Sequence, residues 1–297
     1  MRQVFERGWL SSNNVLFVGR ESAVLVDSGY VGHADQTLAL VRATLGARAL
    51  DQIINTHLHS DHCGGNALLR ETYGCRTLIP AAEADKVAAW DEARLSYVAT
   101  GQRIARFGFD DTLAPGDTLR LGDEDWQVLG APGHDPHSLM LFQPDDGTLI
   151  AADALWENGF GVVFPELDGE PGFEEVRATL DLIKELDVRH VIPGHGAPFD
   201  DVRGALARAY ARLDFLAADP VRNAQNAAKV LIKFLLLDRR RIPPEDLLAL
   251  CASVPVLVRA NARFFGWDAA ALADWVGKAL VKAGVARWDG AVLVDAG

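Results

Sequence analysis

Three histidines and an aspartate fall within the six positions His57-Leu58-His59-Ser60-Asp61-His62, right behind the apolar run Gln52 to Asn55. No other stretch restricts the fold as much. Histidine makes up only 8 of the 297 residues, so chance crowding explains this segment poorly. Imidazole nitrogen and carboxylate oxygen are the donors that a hydrolytic zinc site accepts. In an extended loop, side chains two positions apart point the same way. His57 and His59 can therefore reach one ion together, while Asp61 and His62 lie past the bend and can reach a second. Gly64 and Gly65 are expected to free the backbone for a tight turn into the next helix.

Around this segment, short β-like runs alternate with helical ones. Asn14 to Val18 and Ala23 to Asp27 read as strands, and Ala34 to Leu45 as a helix closed by Gly46. A helix is expected from Gly65 to Tyr73, a strand from Arg76 to Ile79, and a helical region from Ala81 to Arg106 with a break near Trp90. Strand signals return at Thr118 to Leu121, Trp126 to Gly130, Leu139 to Gln143 and Thr148 to Ala152. Asp145-Asp146-Gly147 marks the hairpin between the last two. A helix from Phe173 to Leu186 and a strand from His190 to Ile192 follow. Mixed elements of this kind suggest a layered α/β architecture.

His57-x-His59-x-Asp61-His62 followed by Gly64-Gly65 resembles the signature of the metallo-β-lactamase fold superfamily. That resemblance demands further residues downstream, and they are present. His134 follows the run Val128 to Pro132, Asp153 follows Leu149 to Ala152, and His195 lies in the turn after His190 to Ile192. The resemblance covers roughly residues 13–200. It implies a four-layer αβ/βα sandwich with two metal ions at one edge of the sheets. By the same resemblance His57, His59 and His134 hold the first ion. Asp61, His62 and His195 hold the second, and Asp153 bridges both. Two zinc ions are expected; iron or manganese would suit the same donors. Such a pair activates a bridging water at neutral pH. Asp61 is the candidate catalytic residue, orienting that water or passing on its proton.

Several neighbours call for roles of their own. Asp27 sits where the family often has an aspartate that orients a ligand histidine. The family's usual Gly-His-Thr-Pro-Gly is here Gly133-His134-Asp135-Pro136-His137, so Asp135 and His137 are open positions, and a structural role is favoured for His137. Trp156, Phe160 and Phe164 could border the site or simply pack. His33 and His190 read as ordinary residues.

Beyond about Asp200 the pattern becomes helical: Val202 to Ala218, Arg222 to Leu237, Glu245 to Ala252 and Ala269 to Ala283. Asp289-Gly290 then reads as a hairpin turn between Val285 to Trp288 and Ala291 to Val294. Helices followed by a two-stranded ribbon outline a winged-helix-like unit. Charge supports a division. Residues 1–204 carry 16 Lys+Arg against 32 Asp+Glu, whereas residues 205–297 carry 13 against 9. We therefore expect a catalytic domain over 1–204 and a small helical domain over 205–297.

A net charge of −12 argues against long nucleic acid as the partner of the whole chain. The run Arg239-Arg240-Arg241 keeps RNA open as an alternative, but a small-molecule substrate is favoured. Cys63, Cys75 and Cys251 form no CxxC pair, which suits a reducing compartment. Met1 to Leu10 holds no apolar core of signal-peptide length, and no run reaches membrane-spanning length. The expectation is a cytoplasmic protein with no membrane partner, and a homodimer is compatible with it.

The resemblance implies hydrolysis of an ester, thioester or lactone. The aromatic, glutathione-facing motif of glyoxalase II enzymes is replaced here by Gly194-His195-Gly196-Ala197-Pro198. Two alternatives stay open: a phosphodiesterase or endoribonuclease with a winged helix, and a mononuclear iron dioxygenase on the same fold, which would need mainly His57, His59 and His134.

Overall fold

The computed structural model describes residues 1–296. Two sheets face each other. The first has six strands in the order β1 (Arg2–Phe5), β2 (Asn14–Val18), β3 (Ala23–Val26), β4 (Gln52–Ile54), β5 (Arg76–Pro80) and β6 (Asp111–Leu113). The second runs β11 (His190–Pro193), β10 (Thr148–Ala152), β9 (Leu139–Gln143), β8 (Glu124–Gly130) and β7 (Thr118–Leu121). Period-two alternation explains the layering. Val15, Phe17, Val24, Val26 and Ile54 point between the sheets, where they meet Trp126, Val128, Leu139, Leu141 and Ile150. The Phe17 and Trp126 rings close this layer edge to face at 5.2 Å. Leu16, Leu25 and Ile53 point the other way, onto Leu38, Val41, Leu45 and Leu69 of the helices Ala34–Leu45 and Asn66–Tyr73.

The second sheet repeats the logic. Met140, Phe142, Leu149, Ala151 and Val191 face away from the first sheet, against the helices Phe173–Glu185 and Val202–Ala217. Helix, sheet, sheet, helix is the αβ/βα sandwich expected. β9 and β10 are buried along their whole length, as a strand covered on both faces must be. Each fully buried Leu or Ile here contributes about 1.5–3 kcal/mol.

The C-terminal part has its own core. Helices Pro220–Arg239, Pro244–Ser253, Pro255–Ala260 and Ala269–Lys282 share one apolar cluster with Ile242 and Leu293, and Val162 and Leu167 join it from the sandwich. A three-stranded sheet in the order β12 (Arg241–Ile242), β14 (Val292–Asp295), β13 (Ala286–Asp289) caps it. Among the described residues, no single helix is long and apolar enough to cross a membrane.

The structure corrects three sequence expectations and adds two strands to the first sheet. The helical region over 81–106 is shorter than expected: a 3-10 turn and a helix cover Ala81–Glu83 and Ala84–Ala89, a single turn covers Tyr97–Thr100, and the remainder is irregular. The break expected near Trp90 is present: Trp90 takes a left-handed conformation with φ 50° and sets its ring against Phe107 at 5.4 Å, so packing of the partly buried indole overrides helix propensity. The terminal hairpin turns at Gly290-Ala291 rather than Asp289-Gly290, because Asp289 pairs with Val292. Strands β1 and β6, short and at the sheet edges, carry too little alternation to be read. Finally, Gly64 and Gly65 have ordinary dihedrals (φ −65° and −84°). Their requirement is space: a Cβ would lie 2.2 Å from Val31 N at Gly64 and 2.5 Å from Ser28 O at Gly65.

Candidate metal centre

Topology brings the candidate ligands to one place. β8 and β10 both run opposite to β9, and β11 runs parallel to β10, so their C-terminal ends share an edge. His134, Asp153 and His195 follow those ends. Across the interface, His57 and His59 follow β4, and a short helix over Ser60–Cys63 carries Asp61 and His62. All seven residues singled out in the sequence meet here. His57 and His62 are fully buried, His134, Asp153 and His195 are 4–7 % exposed, and the side chains of His59 and Asp61 keep 15 % and 13 %.

Their donor atoms form overlapping triplets, each with its atoms within 4.8 Å of one another: His57/His59/His134, His57/His62/Asp153 and Asp61/His62/His195. The first and last share no residue and match the two ligand sets expected. Asp153 stands between them. Its Oδ2 lies 3.3 Å from His134 Nε2, and its Oδ1 lies 3.5 Å from His62 Nε2 and 3.8 Å from His195 Nε2. One carboxylate thus faces both sets with different oxygens.

A test of fit comes from the hydrogen-bond pattern. His59 Nδ1 sits 3.1 Å from His57 Nε2 and 2.8 Å from His134 Nε2. His134 Nδ1 donates to the Val162 carbonyl at 2.6 Å, which leaves Nε2 as an acceptor toward the centre. One N–H cannot satisfy two facing nitrogens, but a cation among three lone pairs can. In the other set, His62 donates through Nδ1 to Asp27 at 2.8 Å, and its buried Nε2 has no hydrogen-bond partner. Buried polar atoms are rarely left alone. The donor set fits a divalent metal.

Electrostatics at His57 and His134 supports the same view. Burial, reinforced by the neighbouring imidazoles, pushes His57 well below the ordinary histidine range, and burial lowers His134 to about 4. Both are neutral near pH 7, the form that ligates. Burial disfavours the charged form of His62, but the carboxylates of Asp27 and Asp153 outweigh it and hold its pKa well above the usual value. Burial likewise opposes ionisation of Asp153, yet His195, His62 and His134 keep it well below the usual carboxylate range.

Supporting residues lock the ligands. Asp27 also accepts from Thr56 N at 2.9 Å and Thr56 Oγ1 at 2.8 Å, so it ties the His57 loop to His62. Trp156 donates its indole N–H to Asp153 Oδ1 at 3.2 Å and packs edge-on against His195. Phe164 flanks His59 and His134 with ring centres at 5.4 and 5.6 Å, whereas Phe160 is 1 % exposed and belongs to the core. His137 turns away, with Nε2 3.7 Å from Glu83, while Asp135 lies 3.7 Å from His59 Nε2. Sequence reasoning missed two residues. Asn13 donates its amide to the carbonyls of Pro193 and Gly196 on either side of His195, at 3.0 and 2.7 Å. Trp9 stacks on His195 with ring centres 5.4 Å apart. Neither stands near a recognisable motif, so no local signal marked them.

The chain is similar to known proteins. The model of the metallo-beta-lactamase superfamily matches residues 7–195. A hydroxyacylglutathione hydrolase of Hyphomonas neptunium is 31 % identical over 152 residues, which cover 51 % of this chain and 50 % of that one. The chain thus spans about half the length of that relative. A crystal structure of a metallo-beta-lactamase family protein from Thermus thermophilus aligns with 99 % of this chain and 98 % of its own, at TM-score 0.57 and 20 % identity. Another solved structure, in a di-iron-bound form, aligns with 71 % of this chain and 98 % of its own, at TM-score 0.55 and 27 % identity. With the family match spanning every ligand position, the chain belongs to the metallo-beta-lactamase superfamily.

Proposed function

We propose that the protein is a two-metal hydrolase, with zinc as the working metal, acting on an ester, thioester or lactone of a small molecule. The observation that carries this reading is Asp153, whose two oxygens face separate sets of imidazoles. His57, His59 and His134 would hold one ion, Asp61, His62 and His195 the other, and Asp153 both. When bound, such a pair supplies an activated water and Lewis acidity at neutral pH. Asp61, 3.1 Å from His195 Nε2 and lining the cavity, would ligate and stands where it could take the water's proton. The water oxygen bonds to the acyl carbon, the C–O or C–S bond breaks, and the leaving alcohol or thiol takes up a proton.

A cavity of about 300 Å³ opens from the centre, with Trp9, Trp156, Phe164 and Val162 among its walls. An apolar space of that size suits an acyl or aryl group. Similarity to a hydroxyacylglutathione hydrolase supports thioester chemistry. On this reading the C-terminal helices and their small sheet form a winged-helix-like cover for the pocket. The test is a panel of aryl esters, thioesters, lactones, phosphodiesters and RNA offered to the zinc-loaded protein. Turnover of the carboxylic substrates, lost to a chelator and restored by zinc, is expected. Turnover of phosphodiesters or RNA alone would overturn the reading.

A further inference from the structure

One wall of the cavity comes from the helix Pro220–Arg239. Asn226, Lys229, Val230, Lys233, Phe234 and Leu237 line it, and their spacing of three and four residues places them on one helical face. The two lysines, one turn apart, differ in their partners. Lys233 is tied to the Val285 carbonyl at 2.6 Å and to the carboxylate of Asp295. Lys229 is half-buried, and among the described residues it makes no hydrogen bond and no ion pair. One turn before it, the buried amide nitrogen of Asn226 also lacks a partner. A buried amide without a partner costs free energy, and the Lys229 ammonium beside it faces the cavity without an acceptor among the described residues. A buried amide without a partner and an ammonium with no protein acceptor, on one face of a cavity, are the donors that would receive an acceptor on a bound molecule.

The rest of the cavity limits what that acceptor belongs to. Trp9 and Val230, 58 % and 44 % exposed, flank the opening, and Phe164, Leu231 and Phe234 line it farther in. A substrate filling this space must be apolar along its length.

We propose that Lys229, with Asn226, binds an anionic group at the end of the acyl substrate remote from the scissile bond. The pocket then selects carboxylate-terminated, apolar-bodied esters or thioesters over their neutral counterparts. The proposal rests on the hydrolase reading for its kinetic test but makes a binding claim that stands apart from it.

The experiment uses zinc-loaded full chain and a series of aryl monoesters of dicarboxylic acids from adipate to sebacate, each against its methyl-capped neutral twin. For the best-fitting length, wild type should prefer the acid over the twin in kcat/KM by about tenfold or more, the scale of a charge-assisted hydrogen bond. Lys229→Gln should abolish that preference through KM, with kcat little altered, and Lys229→Arg should restore most of it. A purely structural role for Lys229 would lower both twins alike. Wild type preferring the neutral twins at every length, or a preference that survives Lys229→Gln, would overturn the proposal. If wild type hydrolyses neither twin, the hydrolase reading fails and binding decides instead. Titration of the dicarboxylates, followed by tryptophan fluorescence, should then be about tenfold weaker in Lys229→Gln. Equal binding by the two proteins would refute the site.

Discussion

The sandwich edge and the C-terminal wall face each other across one cavity, but they are held in place differently. At the edge, three of the candidate ligands lean on partners outside the set: His62 on Asp27, His134 on the Val162 carbonyl, Asp153 on Trp156. The wall is held by the apolar core it shares with Val162 and Leu167 and by ion pairs. Arg103 pairs bidentately with Asp238, which also accepts from Tyr30 at 3.3 Å, and Arg259 pairs bidentately with Asp168 at 2.7 and 3.1 Å. Inside, Phe234 packs against Tyr30 and Leu10. Buried, mutually dependent contacts give rigidity, whereas exposed ion pairs give little. On the proposed reading, the chemistry belongs to the sandwich edge and the selectivity to the wall.

Changes at the edge should have the largest effects. Asp153→Ala or His59→Ala should lower kcat/KM by about a thousandfold or more, because each removes a shared or central ligand. Circular dichroism should show the fold retained, and full turnover in either variant would break the comparison. Asp27→Ala comes next. It leaves every ligand in place but frees the His62 ring, and should weaken metal binding about 10–100-fold in a competition titration with a chromophoric chelator. On the wall, Asp238→Ala should destabilise by about 1–3 kcal/mol in urea unfolding, since it strands the Tyr30 hydroxyl and the Arg103 pair while metal content stays at the wild-type level. Arg259→Ala, an exposed pair at 47 % and 45 %, should cost no more than about 1 kcal/mol. A wall variant that lost metal as readily as Asp27→Ala would erase the distinction.

The same contrast explains what was legible in the sequence. Ligand identity is dictated by donor chemistry, and His57 to His62 carry it within one loop, so the edge could be read residue by residue. The doubly buried strands β9 and β10 announced themselves as apolar runs. Trp9 and Asn13 could not be found that way. They act at His195, far along the chain, through a tertiary approach that leaves no local pattern. Lys229 was invisible for a further reason. A lysine on an amphipathic helix is ordinary until the fold turns that face toward a cavity and withholds a partner. Gly64 and Gly65 were noticed, but for the wrong cause: the constraint is the backbone of Ser28 and Val31 pressing from another segment.

Both sides of the cavity have a purpose only if the seven side chains at the edge hold a pair of ions between them. Elemental analysis of the purified, metal-loaded chain by plasma mass spectrometry tests this directly, with Asp153→Ala alongside. Two divalent ions per wild-type chain, falling below two in the variant, is the expected result. A single ion per chain, unaffected by loss of Asp153, would contradict it.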